Sequence, residues 1–154
     1  MDKFNFDQVK AKLVQTKREL LVLLSNQAQN YFVESFTKQG WNGESWKEVQ
    51  RRTEGTKAFK YPKTRGIQRR TSPILIGAGW KIRGGTLRRA VSNMARTRIL
   101  SENSVRMIVD VPYAGYLNEG TERMVKRTFV GQTAELTKMQ TEKINQIISK
   151  IWQA

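Results

Sequence analysis

NFDQVKAKLVQTKRELLVLLSNQAQNYFVESFTKQG, residues 5–40, decides how the rest of the chain is organised. Phe6, Val9, Leu13, Leu20, Leu24, Ala28, Tyr31 and Phe36 recur mostly at intervals of three, four or seven, which places apolar side chains on one face of a helix. The spacing predicts a helix over 5–38. Asn5 with Gln8 three places on has the form of a capping box, with Asn in place of the usual Ser or Thr, and Gly40 follows the last periodic residues as a stop. A helix this long exceeds what a small domain covers by itself. It is expected to project, or to pack against a neighbouring subunit.

Working outward from that helix, a second one is expected from about Thr133 to Ile151, where Leu136, Met139 or Gln140, Ile144, Ile147, Ile148 and Ile151 form an apolar stripe flanked by Glu and Lys. It should pack on the first. Arg98 to Leu100 and Ser104 to Val111 carry β-branched residues in partial alternation around a turn at Glu102-Asn103, the pattern of a β-hairpin. Pro73 to Ile76 reads equally as a short strand or a buried segment, because four residues do not fix a period. Trp41 and Trp46 bracket GWNGESWKEV, a compact turn expected to close the core beneath the end of the first helix; Trp80 is expected in the core and Trp152 at a helix end. The fold class that results is α+β: two long helices, N- and C-terminal, packed on a small antiparallel sheet. With 154 residues and 38% apolar content, one domain over 1–154 is expected.

Charge divides the chain unevenly. Lys and Arg number 28 against 13 Asp and Glu, a formal net charge of +15. Residues 1–50 hold 7 basic and 6 acidic side chains and residues 99–154 again 7 and 6, whereas 51–98 hold 14 basic residues and a single acid, Glu54. Such a polarity implies an acidic partner. Within it, RRTEGTKAFKYPKTRGIQRRT, residues 51–71, has 8 basic residues and only Ala58, Phe59, Tyr61 and Ile67 to bury, so it is expected to be a mobile basic insertion until something acidic binds it. Its candidate contacts are Arg51, Arg52, Lys57, Lys60, Lys63, Arg65, Arg69 and Arg70, with Arg88 and Arg89 beyond it. Those cations, with Phe59 and Tyr61 interleaved, suit phosphates and bases or equally an acidic protein surface. Charge alone does not choose between the two.

Several chemistries are excluded by residue types. The chain has no Cys and no His, which removes disulfides, Cys nucleophiles, Cys/His zinc sites and every triad with an imidazole base. Gly79 to Thr86 approaches the phosphate-binding pattern GxxxxGK[ST], but Gly85 stands at the Lys position, so the stretch reads as a glycine turn. Gly77-Ala78-Gly79 fails GxGxxG, with Ile82 at the third glycine. A carboxylate-and-lysine nuclease could be assembled from Asp110, Glu119 and Lys126, with Glu122 nearby; acids flanking a turn are common for backbone reasons, and the spacing matches no carboxylate–metal pattern. No catalysis, metal or cofactor is expected. No apolar run approaches the ~18 residues of a membrane span and the opening residues MDKFN form no signal region, so a protein made and used in the cytosol is expected.

Taken in order, the chain has a long helix, Gly40-Trp41 to Trp46, a basic loop, Gly85-Thr-Leu-Arg-Arg-Ala-Val91, a hairpin, Pro112-Tyr-Ala-Gly-Tyr-Leu-Asn-Glu-Gly-Thr121, Arg127-Thr-Phe-Val-Gly131 and a final helix. This order resembles the virion morphogenesis, or tail-completion, family of Mu-like and related tailed phages, across most of the chain. That family's pattern has a tryptophan turn, a Thr-Gly-x-Leu-x-x-Ser step, a Tyr-Ala-x-x-His-x-x-Gly element and an Arg-x-Phe-x-Gly step. Here Gly85-Thr86-Leu87 is transposed, Ala90 or Val91 stands for the Ser, and Leu117 replaces the His or aromatic residue. The resemblance implies a non-catalytic subunit of a ring or plug at the head-to-tail neck or tail end. Its partners would be copies of itself, other neck or tail proteins and DNA in the neck channel, with no membrane and no small-molecule substrate. It also carries over Trp41, Tyr113, Ala114, Tyr116, Asn118, Glu119, Gly120, Thr121, Arg127, Phe129 and Gly131 as motif and interface positions. Read physically, Tyr113 to Tyr116 combines aromatic bulk with small residues, Asn118 to Gly120 has turn chemistry, and Phe129 should insert into the core. A cytosolic nucleic-acid-binding protein using the basic 51–98 region is the alternative reading.

Overall fold

The computed structural model describes residues 6–61, 70–75 and 84–152. Helix α1 runs Phe6–Lys38, with Asp7 in its first turn and Lys38 in its last, both charges favourable to the helix dipole. It ends where Gln39 takes a left-handed conformation, φ 53°. Strands β1 (Gly40–Trp41) and β2 (Glu44–Ser45) then pair antiparallel, with Trp41 opposite Glu44. Between them Asn42 and Gly43 both have positive φ, 51° and 83°, as a two-residue turn of the primed type requires. Gly40 is needed for a different reason: a Cβ there would lie 2.4 Å from the Glu44 carbonyl oxygen. The tryptophan turn is therefore a tight hairpin, and it does close the core, since Trp46 is buried with its ring edge-on to Phe36 at 5.6 Å.

A short helix α2 (Lys57–Lys60) follows, capped by Thr56, whose hydroxyl accepts from the Phe59 N–H. Helix α3 (Thr86–Ser92) begins at the left-handed Gly85 and buries Leu87 and Val91 against α1; a 3-10 turn, Met94–Thr97, adds Met94. Strands β3 (Ile99–Leu100) and β4 (Val105–Arg106) pair antiparallel around the expected turn at Glu102-Asn103. The hairpin is shorter than its sequence pattern, because the Thr97 hydroxyl donates to the Ile108 carbonyl (2.6 Å) and accepts its N–H (3.3 Å), occupying the positions a ladder partner would use. Helix α4 (Ala114–Glu119) and helix α5 (Ala134–Trp152) complete the chain. Thr133 caps α5, its hydroxyl accepting from Leu136 N–H at 3.1 Å.

The architecture is the expected α+β arrangement, although the sheet component among the described residues is two separate two-stranded ladders. The C-terminal part of α1 is the spine of the core: Ala28, Phe32 and Phe36 pack with Trp46, Ile74, Leu87, Val91, Met94, Val111, Ala114, Phe129 and Leu136. α5 packs on α1 as expected, and Tyr31 ties them, its hydroxyl reaching Glu135 at 3.0 Å and receiving the Thr133 hydroxyl at 3.1 Å. Pro73 to Leu75 is a turn that buries Ile74, not a strand, since Leu75 is left-handed at φ 59°. Trp80 and the glycines of 77–79 lie outside the described residues; Trp152 does sit at a helix end.

Candidate interaction surfaces

The motif residues around 118–131 form one clasp. Asn118 lies in the last turn of α4, and its Oδ1 accepts the N–H groups of Phe129 (3.0 Å) and Val130 (3.1 Å), while its carbonyl accepts the Thr128 hydroxyl at 3.3 Å. From the opposite side Trp46 Nε1 donates to the Thr128 carbonyl at 2.7 Å. Arg127 donates twice to the Lys47 carbonyl, at 3.2 and 3.0 Å. Gly131 lies beneath Trp41, where an added Cβ would come 3.5 Å from the indole. Phe129, 1% exposed, enters the core against Phe36, ring centroids 5.5 Å apart. Thr121 closes the turn after Gly120, its hydroxyl accepting the Met124 N–H at 3.0 Å. Of the Tyr113 to Tyr116 element, Ala114 is buried, Tyr113 half-buried, and Tyr116 displayed at 61% exposure; Glu119 is also exposed. Most motif positions thus hold the fold together; Tyr116, Glu119 and Thr121 are the exposed ones, Thr121 still closing its turn.

The arginines at the two described ends of the basic segment also turn inward. Arg51 donates to the Ser72 and Pro73 carbonyls, both at 2.7 Å, and Arg52 to Ser72 (2.7 Å) and Arg70 (3.1 Å). Arg70 donates to the Phe59 carbonyl at 2.6 Å and lays its guanidinium 4.0 Å from that ring. The segment therefore has local structure over 51–61 and 70–71, because guanidinium groups replace the missing apolar anchors by satisfying carbonyls. Lys57 and Lys60 remain exposed, Lys60 standing 5.8 Å over the Tyr61 ring. Lys63, Arg65 and Arg69 lie outside the described residues. On α3, Arg88 and Arg89 are both exposed, and Arg89 also donates to the Gly84 carbonyl and to Thr86 Oγ1 at 3.3 Å.

Between residues 47–61 and the turn at 123–127 lies a groove of about 900 Å³. Lys47, Arg51, Lys57, Arg123 and Arg127 line it against one carboxylate, Glu48. Burial lowers the Arg51 pKa below the usual arginine value and the neighbouring Arg52 charge lowers it further; burial also lowers Arg127, opposed by Glu48. Both walls therefore hold positive charge where water solvates it incompletely. Lys47, Arg123, Met124 and Val125 were not singled out by sequence reasoning, although Arg123, Lys126 and Arg127 do flank an apolar pair.

No family model, curated protein or solved structure matches the chain. The carboxylates of the nuclease alternative, Asp110, Glu119 and Glu122, are each exposed, and no group of three or more acids among the described residues is placed to hold a metal. No helix among them is long and apolar enough to cross a membrane.

The third surface is the first half of α1. None of residues 10–24 is buried, and Leu13, Val14 and Leu23 are 52%, 64% and 43% exposed. The apolar periodicity that predicted the helix thus runs well beyond the buried core, and the β3–β4 loop meets this part of the helix through the Lys17–Asn103 hydrogen bond and beside Val14 and Arg18.

Proposed function

We propose that this chain is a structural subunit in the assembly of a tailed bacteriophage particle, at the head-to-tail neck or the tail end. The observation that carries the reading is the uncovered half of α1. None of residues 10–24, a span of roughly 22 Å, is buried, and the exposed Leu13, Val14 and Leu23 point to different sides of the helix, a pattern suited to burial on more than one side. An assembled ring or plug supplies those sides from neighbouring subunits. The order of motifs along the sequence supports the same reading, and in this chain the segments 118–121 and 127–131 meet in the clasp around Asn118 and Phe129.

The alternative, a nucleic-acid-binding protein using 51–98, is less well supported by the side chains, because Arg51, Arg52, Arg70 and Arg89 all donate to the chain's own carbonyls. The test is deletion of the gene from a phage genome that encodes it, with negative-stain microscopy of the lysate and mass spectrometry of purified wild-type particles. Unjoined heads and tails, with the chain present in complete particles, are expected. Absence from particles, together with tight DNA binding whose log–log salt slope follows about −0.9 per phosphate neutralised, would replace this reading with the alternative.

A further inference from the structure

The groove beside α2 is not explained by a role in a ring, and its lining is specific enough to name what it takes. It is basic on both walls, through Lys47 and Lys57 on one side and Arg123 on the other. It also presents Tyr61, 67% exposed, with Met124 and Val125 exposed opposite. A ligand for it must bring negative charge and apolar groups together.

We infer that this groove binds an acidic peptide segment of another protein, one in which carboxylates alternate with aliphatic or aromatic side chains. The cations pair with carboxylates at the rim, and Tyr61, Met124 and Val125 receive the apolar anchors. A phosphodiester strand fits less well. Sequence-tolerant binding of single strands uses successive rings as stacking platforms, whereas Tyr61 is the one aromatic side chain among the described lining residues and the rest of the apolar lining, Val49, Ala58, Met124 and Val125, is aliphatic. A second copy of this chain is disfavoured by charge, since it brings a net +15 to a positive surface.

The inference stands on the groove alone and holds whether or not the chain belongs to a virion. Its test is fluorescence anisotropy with the full chain and a labelled Glu/Leu peptide of about twelve residues, beside the same peptide with Gln for Glu, one with Ser for Leu, and an oligothymidylate of similar length. The Glu/Leu peptide is expected to bind at least ~tenfold tighter than the Gln and Ser controls and the oligothymidylate. Lys57→Glu with Arg123→Glu, both exposed positions outside the clasp, should weaken it by at least ~tenfold. Met124→Ser should weaken the Glu/Leu peptide and leave the Ser control unchanged. Circular dichroism checks each variant, and Lys57→Gln with Arg123→Gln replaces the reversal if that one fails to fold. Four results would overturn the inference: no binding of the Glu/Leu peptide, binding insensitive to the paired substitutions, oligothymidylate bound as tightly with the same sensitivity, or self-association of the chain that those substitutions abolish.

Discussion

Asn118 Oδ1 holds the backbone of Phe129, accepting its N–H at 3.0 Å while also accepting that of Val130 at 3.1 Å. One amide oxygen thus satisfies two donors on the segment that carries the most buried aromatic ring of the core. Asn118→Leu leaves both N–H groups without that acceptor and should destabilise the fold by about 2–3 kcal/mol, whereas Asn118→Asp keeps an acceptor and should cost about 1 kcal/mol or less. Urea unfolding of both variants measures the difference. Equal losses would mean that the clasp is held elsewhere.

Two glycines of the same region should respond in opposite directions. Gly120 has φ 78° and ψ 172°, a conformation essentially confined to glycine, and a Cβ there would meet Lys126 backbone nitrogen at 3.0 Å and its Cβ at 2.9 Å. Gly120→Ala should therefore cost about 3 kcal/mol. Gly115 lies within α4 with nothing within 4 Å of an added Cβ, so Gly115→Ala should stabilise by about 0.5–1 kcal/mol through helix propensity. Thermal melts of the pair check the signs.

The legible parts of the chain were those where one period ran long enough to outvote local exceptions. Leu136 to Ile151 carried α5 almost to its observed ends, the expected first residue, Thr133, proving to be its cap. The α3 and α4 helices escaped because neither has two full turns of pattern; Leu87 and Val91 are α3's only buried residues, and α4 reads as small residues between tyrosines. The Asn42-Gly43 hairpin was legible as a turn signal, but its strands are too short to show alternation. For the basic segment, composition predicted charge without predicting its use. Nothing in the order of Arg51, Arg52 and Arg70 shows that each will find a carbonyl some 11 to 22 residues away. The groove was hidden for the same reason, since its walls come from segments far apart in the chain.

Hydrogen exchange tests how far that carbonyl network orders the segment. The Phe59 N–H has both the Thr56 hydroxyl and the Thr56 carbonyl as acceptors, at 3.2 Å each, and Tyr61 N–H donates to Lys57 at 2.9 Å. These amides should exchange faster than those of α1 near Phe32 and slower than an unstructured chain. Arg70→Gln should remove much of the protection at Phe59 to Tyr61. Exchange at the unstructured rate in the wild type would mean that the sequence expectation of a mobile insertion extends to these residues.

Tyr113 should give the fold a distinctive alkaline response. Its hydroxyl is buried without a hydrogen-bond partner among the described residues, and burial raises its pKa above the ordinary 10.0, opposed by the Arg89 charge. The folded state therefore retains the phenolic proton at pH values where the unfolded chain releases it. The stability linked to that proton is fully present below pH 10.0 and is lost as pH rises through the folded-state value. Tyr113→Phe cannot ionise, so its stability relative to wild type should increase between pH 8 and about 10.5. At pH 8 the variant should already match or exceed wild type by up to about 1 kcal/mol, because an unpaired buried hydroxyl is removed. A constant difference across that range would show that solvent reaches the ring in the folded state.

The exposed half of α1 should separate stability from assembly. Leu13, Val14 and Leu23 touch too little of the core to support it, so replacing all three by Gln should leave the unfolding midpoint nearly unchanged, within about 0.5 kcal/mol per site. Phe32→Ala, at a buried site on the same helix, should cost about 3–5 kcal/mol. If α1 is the face that neighbours cover, the isolated wild-type chain should be a monomer or associate weakly at micromolar concentration, with the association removed by the triple substitution. In a phage that carries that substitution, heads and tails should remain unjoined although the subunit folds normally. Sedimentation velocity over a range of concentrations reads the first effect and electron microscopy the second. A stable large ring formed by the wild-type chain alone would show that no neighbouring ring is needed to template it, and normal particles from the triple variant would remove α1 from the interface.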